Sequence, residues 1–227
     1  MKVAVVSANF GNYDSVKEQS NIKEKELFDW YYFTDNLNII SNTYKIITTR
    51  YHNHTYNMNV LFGKYYKLQS HKIDILSNYD YIIWMDASIQ ILNPNFVNDI
   101  LDFLKNKPNL VMFAHEARTK IKDEVTVLNK ISKFRGLNFN QQLKTYYDDG
   151  FKDDYGLYSS GFFIRKNNDD GINKLYDDWW NEVTTQTYRD QVSLSYVLWK
   201  NNIRPDIIIK QNIFKNKLIG NVIKHIK

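Results

Sequence analysis

Five short runs rich in β-branched and aromatic residues punctuate the first half of the chain, with helical patterns between them. They are "KVAVVSA" (2–8), "DWYYFT" (29–34), "YKIITT" (44–49), "YIIWMD" (81–86) and "LVMFAH" (110–115), several of them apolar almost throughout. A strand that is apolar on both faces must be covered on both. Such strands alternating with helices therefore predict an α/β fold, a mostly parallel Rossmann-like sheet with helices above and below it. One helix is expected within 60–76, where Leu61, Tyr65, Leu68 and Leu76 recur near helical spacing, and another over 96–104 after the start signal of Pro94. Beyond them, "GLYSSGFFIRK" (156–166) reads as a Gly-bounded hairpin or strand. Helices follow through "LYDDWWNEV" and from about Arg189 to Lys200, and "KTYYDDGFKDDYG" (144–156) reads as a mobile loop.

A chain of 227 residues buries roughly 70% of the surface exposed by its unfolded form, enough for one substantial core. No linker, repeat or domain boundary interrupts it, so a single domain over 1–227 is expected. The absence of cysteine excludes disulfides, thiolate metal sites and a cysteine nucleophile, leaving oxygen or imidazole to hold any metal. No stretch approaches the roughly 20 apolar residues of a membrane span, and "MKVAVVSANF" turns polar too soon for a signal peptide, so the expected location is cytoplasmic. A net charge of +5 is moderate and does not call for a nucleic-acid partner. The basic stripe in "KQNIFKNKLIGNVIKHIK" reads either as the wet face of a helix or strand or as a weak contact with anionic lipid or phosphate.

Open α/β sheets bind ligands at the carboxyl ends of their strands. Asp86 ends the fourth run, where a carboxylate leaves the core for a crevice, and an ionised Asp needs a partner there. One reading is that Asp86 and Ser88 cap the turn that follows. The other is that Asp-x-Ser, with both side chains on one face of an extended segment, holds an oxygen-ligated cation such as Mn²⁺ or Mg²⁺. Lys64 and Lys67, an i, i+3 pair, suit either a solvated helix face or contact with phosphate and sugar hydroxyls. His115 and Arg118 emerge after the fifth run, and Glu124 stands near enough in sequence to pair with Arg118. They read as sugar or phosphate ligands or as a structural ion pair. Thr187 is a candidate cap for a helix with Asp190 and Gln191 in its first turn.

A hydrophobic strand ending in Asp-x-Asp or a variant, without a Gly-rich dinucleotide loop, resembles the nucleotide-sugar-dependent glycosyltransferases of the GT-A fold. The blocks "VVSANFGNYD", "YYFTDN", "GKYYKLQSHKIDIL", "FAHEARTKIKDE", "GLYSSGFFIRKNN" and "WWNEVTTQTYRDQVSLSYVLWK" span nearly the whole chain. They resemble the glycosyltransferase-like family shared by plant Golgi proteins of the pectin and mucilage type and by bacterial and viral surface-polysaccharide clusters.

The resemblance implies that Asp86 and Ser88 hold Mn²⁺ against the diphosphate of a sugar nucleotide, expected to be a UDP-sugar, with His225 as a third ligand. It implies that Ala8, Asn9, Phe10 and Tyr13 enclose the base and that Asp35 contacts base or ribose. Ser160 and Gly161 would line the donor-sugar pocket, and Asp190 and Gln191 would face the reacting carbon, in retaining or inverting chemistry. His52, His54 and His71 have no partner pattern. The expected activity is metal-dependent transfer of a sugar to a glycan, polysaccharide or glycoprotein acceptor, with a nucleotide part about 1–115 and an acceptor and catalytic part about 116–227. Two rivals differ in kind. A sugar nucleotidyltransferase would carry a Gly-rich, basic loop after the first strand, which "SANFGNYD" is not; a non-catalytic glycan-binding domain would use the many aromatic residues for stacking alone.

Overall fold

The computed structural model describes residues 1–49, 56–208, 213–214 and 216–219. Seven strands form one sheet: β1 (Val3–Asn9), β2 (Asp29–Thr34), β3 (Lys45–Thr48), β4 (Tyr81–Met85), β5 (Leu110–Ala114), β6 (Tyr158–Lys166) and β7 (Asp206–Ile207), in the order β3-β2-β1-β4-β6-β5-β7. The helices are α1 (Tyr56–Leu68), α2 (Phe96–Leu104), α3 (Ile121–Leu128), α4 (Phe139–Asp148), α5 (Asp170–Thr185) and α6 (Asp190–Lys200). All pairings are parallel except those of β6, which runs antiparallel to both β4 and β5.

The alternation along each strand builds two cores. Ala4, Val6, Ile82 and Trp84 face one side, where Tyr66 and Leu68 of α1, Val125 of α3, Trp179 of α5 and Val197 of α6 cover them. Val3, Val5, Ile83 and Met85 face the other, against Phe96, Val97 and Ile100 of α2 with Phe28 and Tyr44. Trp179 is fully buried; truncating a core aromatic of this kind costs about 3–5 kcal/mol.

Several expected boundaries differ. The first helix starts at Tyr56 and ends at Leu68, and two short 3-10 turns, Ser70–Lys72 and Asp74–Leu76, follow it. "GLYSSGFFIRK" contributes a single strand, β6. The expected loop over 144–156 is helical up to Asp148, as the end of α4. Helices α3 and α4 and the two-residue β7 lie where no element was expected. No helix among the described residues is long and apolar enough to cross a membrane.

The insertion of β6 between β4 and β5 sets up the cleft. Its pairing with β5 jumps from Met112↔Phe163 to Phe113↔Ser159, so residues 160–162 bulge out of that ladder. Bulges of this kind re-aim side chains and backbone. Here the bulge lies beside the end of β4, and the Asp86 N–H donates to the Gly161 carbonyl at 2.8 Å.

Candidate active site

Two cavities meet at Asp86. The first, about 220 Å³, lies between the end of β1, helix α1 and the segment around Lys133, Phe134, Tyr188 and Arg189. The second, about 320 Å³, lies between the bulge of β6, the end of β5 and α3. Asp86, Phe134 and Arg189 line both.

Asp86 is 42% exposed, as expected of a carboxylate leaving a strand end. Its turn is closed by the backbone, Ile89 N–H to the Asp86 carbonyl at 2.9 Å. The side chain is used elsewhere: Oδ1 accepts the Trp84 indole N–H at 2.7 Å and lies 3.6 Å from Lys67 Nζ. Oδ2 points toward Gly161, where an added Cβ would come within 3.1 Å of it and within 3.2 Å of Ile213. The missing side chain at 161 keeps that approach open. Ser88 is buried and lines the second cavity.

Asp190 is buried at the start of α6 between two ammonium groups of α1, Lys64 at 2.8 Å and Lys67 at 2.6 Å. The i, i+3 spacing puts both lysines on one helix face. Burial alone would raise the Asp190 pKa, but Lys64 and Lys67 reverse that and hold it well below the usual carboxylate range. Burial pushes the Lys64 pKa down to about 8 against the pull of Asp190. Lys64 lines the first cavity, whereas Asp190 and Lys67 line neither and stand behind it. Gln191 lines the second cavity, its Nε2 donating to the Tyr158 carbonyl at 3.1 Å and its Oε1 accepting from Arg189 at 2.6 Å. Thr187 does not cap α6: Arg189 holds the cap position without a side-chain bond, and Thr187 Oγ1 donates to Gln142 at 2.6 Å.

The loop after β1 forms one wall of the first cavity through Ala8, Asn9, Phe10 and Tyr13. Asn9 ties the loop to itself: its Oδ1 accepts the Asp14 N–H at 3.2 Å and its Nδ2 donates to the Asp14 carbonyl. Gly11, at φ 68, turns the chain where its N–H meets both Asp35 oxygens, at 3.0 and 3.1 Å. Asp35 thus holds the loop and is not on the cavity wall. Phe10 stacks on Tyr66 with ring centres 5.6 Å apart. Across the cavity, Lys133 donates to the Tyr13 hydroxyl at 2.8 Å and stands 5.0 Å from its ring centre.

In the second cavity, Glu124 is a buried carboxylate with two guanidinium neighbours, Arg118 Nε at 2.7 Å and Arg189 Nη2 at 3.7 Å. His115 Nδ1 accepts the backbone N–H groups of Ala117 and Arg118, both at 3.1 Å, and its Nε2 lies 3.6 Å from Glu124. Burial lowers the His115 pKa, with Glu116 and Glu124 pulling the other way. Ser160 and Gly161 line the same cavity.

Of the expected residues, Ala8, Asn9, Phe10, Tyr13, Lys64 and Asp86 meet in the first cavity, and Asp86, Ser88, His115, Arg118, Ser160, Gly161 and Gln191 in the second. His225, like His52 and His54, lies outside the described residues. Arg189, Lys133 and Phe134 went unread. Arg189 sits inside "TYRDQ", where a cation beside an Asp-Gln pair was the available signal; Lys133 and Phe134 fall in a stretch with no apolar periodicity.

No group of three or more His, Asp or Glu poised for a metal occurs among the described residues. Asp86 fits a hard cation in a more limited way. It offers one open carboxylate oxygen over a glycine that leaves room, in a cavity that the buried Ser88 also lines. Such a donor set suits Mn²⁺ or Mg²⁺ held by one carboxylate together with water and a ligand's phosphates.

No curated protein sequence matches the chain. The family model described as TOD1/MUCI70, glycosyltransferase-like domain, matches residues 1–227. A chain that follows that model over residues 1–227, folded as a mixed α/β sheet of seven strands, belongs to the TOD1/MUCI70 glycosyltransferase-like domain family.

Proposed function

We propose that this chain transfers a sugar from a nucleotide sugar, tested first as a UDP-sugar, to a hydroxyl of a glycan, polysaccharide or glycoprotein acceptor. The observation that carries the reading is the placement of Asp86 on the shared wall of two unlike cavities. The first offers an aromatic and amide pocket for a base, through Phe10, Asn9 and Tyr13, and a cation for phosphate, Lys64. The second offers hydroxyls, an amide and carboxylates, a lining suited to sugar hydroxyls. The bond between the sugar and the diphosphate then falls beside Asp86.

In the transfer, the bond from the anomeric carbon to the phosphate oxygen breaks and its electron pair leaves with the diphosphate. The acceptor oxygen forms the new bond and its proton passes to solvent. Asp86 and Ser88 would hold a divalent cation, which supplies charge stabilisation to the departing diphosphate. Lys64 adds a cation from α1, and Asp190 fixes that lysine from behind. Gln191, tied to Tyr158 and Arg189, presents its amide to the sugar.

Incubation with a panel of sugar nucleotides and Mn²⁺, with nucleoside diphosphate release as the readout, tests the reading. Release from at least one donor, abolished by Asp86→Asn, is expected. A folded protein that neither binds nor turns over any of them would overturn it.

A further inference from the structure

Arg189 is only partly used by its own protein. Nη2 donates to Gln191 at 2.6 Å and lies 3.7 Å from Glu124, and the Phe134 ring centre stands 5.6 Å from the guanidinium carbon. Nε is buried and has no hydrogen-bond partner among the described residues. A guanidinium presents five donors in a rigid fork that matches phosphate, and a buried donor without an acceptor is costly to keep.

The charges around it divide unevenly. In the first cavity Lys64, Lys133 and Arg189 face Asp14 and Asp86. In the second, Arg118 and Arg189 face Asp86, Glu116 and Glu124 beside His115. An anion gains on the first side and a neutral, hydroxyl-rich group suits the second. Arg189 stands where they join.

We infer that Arg189 is a phosphate-binding residue at the junction of the two cavities, acting with Lys64, so that part of the affinity for a diphosphate is independent of any divalent cation. The inference rests on the transferase reading for its ligand and goes beyond it in naming a second, protein-only hold on the phosphates.

Pyrophosphate is the probe, titrated by calorimetry into the full chain in EDTA, with thermal unfolding measured alongside. The parent should bind, Arg189→Gln should weaken binding at least tenfold, and Arg189→Lys should fall between them. In the parent, the Arg189 Nε–H resonance, assigned by its loss in Arg189→Lys, should move on addition of pyrophosphate, a readout that does not need the Gln variant to fold. No binding by the parent in EDTA, an unmoved resonance, or equal affinity in a folded Arg189→Gln would overturn the inference. Sugar-nucleotide turnover is read in parallel. Turnover with equal pyrophosphate affinity removes Arg189 and leaves the transferase reading; Arg189-dependent pyrophosphate binding without turnover of any donor does the reverse.

Discussion

Lys67 and Asp190 stand 2.6 Å apart across 123 residues of sequence, with both side chains almost wholly withdrawn from water. Together with Lys64 they tie α1 to the start of α6 behind the cleft wall. A buried ion pair is weak evidence for stability in itself, but removing one partner leaves uncompensated charge. Asp190→Asn should therefore lower stability by about 3–5 kcal/mol, read as a lower urea midpoint at unchanged slope, and should reduce turnover as well. A variant within about 0.5 kcal/mol of the parent would show that the lysines find other partners.

Lys64, held down at about 8, makes phosphate affinity depend on pH in a calculable direction. Its folded pKa lies below the ordinary 10.5, so the group loses its charge earlier in the folded protein than in the unfolded chain. UDP affinity should hold below pH 8 and fall as pH rises through about 8, a range in which the ligand's own phosphate, with a second pKa of about 6, no longer titrates. Calorimetry from pH 6.5 to 9.5 checks this. Lys64→Arg should carry the plateau to higher pH; an identical decline in that variant would assign the titration to another group.

Chelation separates the two holds on the diphosphate. EDTA should weaken UDP binding in the parent and leave the remainder sensitive to Arg189. Asp86→Asn should remove the Mn²⁺-dependent part while the unfolding temperature stays near that of the parent, because Asp86 is 42% exposed. Ser88→Ala should do less, water being able to replace a hydroxyl. Parent affinity indifferent to EDTA would remove the cation from the site.

Gly161→Ala tests the space over Asp86 without removing a donor atom. The new Cβ would stand 3.1 Å from Oδ2 and 3.2 Å from Ile213. Mn²⁺-dependent UDP affinity should fall several-fold, with little change in unfolding temperature. Parent-like Mn²⁺ dependence would mean that Oδ2 is not the oxygen that matters.

The strands were readable because a residue pattern that is apolar on both faces admits few alternatives, and Asp86 was readable because it interrupts one. Helix α4 was not, since its buried face is Phe139, Gln142 and Tyr146, and the amide of Gln142, which donates to the Tyr146 hydroxyl at 2.6 Å, stands where the pattern calls for an apolar residue. The role of Asp190 depends on lysines from a helix far upstream, a relation no local spacing carries. The resemblance made Asp35 a base or ribose ligand, yet both its oxygens accept from the Gly11 N–H. Whether a strand-end carboxylate faces a cavity or steadies the neighbouring loop is decided by tertiary packing.

The position of β6 also governs how the chain can be made. Until residues 158–166 are synthesised, the Tyr81–Met85 edge that they cover has no neighbour on that side among the described residues, since there β5 joins β4 through β6. A nascent chain therefore carries an open, aromatic-rich strand edge for much of its synthesis, the kind of edge that templates aggregation. Cutting the protein near residue 115 would free that same edge permanently. The two halves of the cleft can be mutated separately, but they cannot be expressed separately without exposing it.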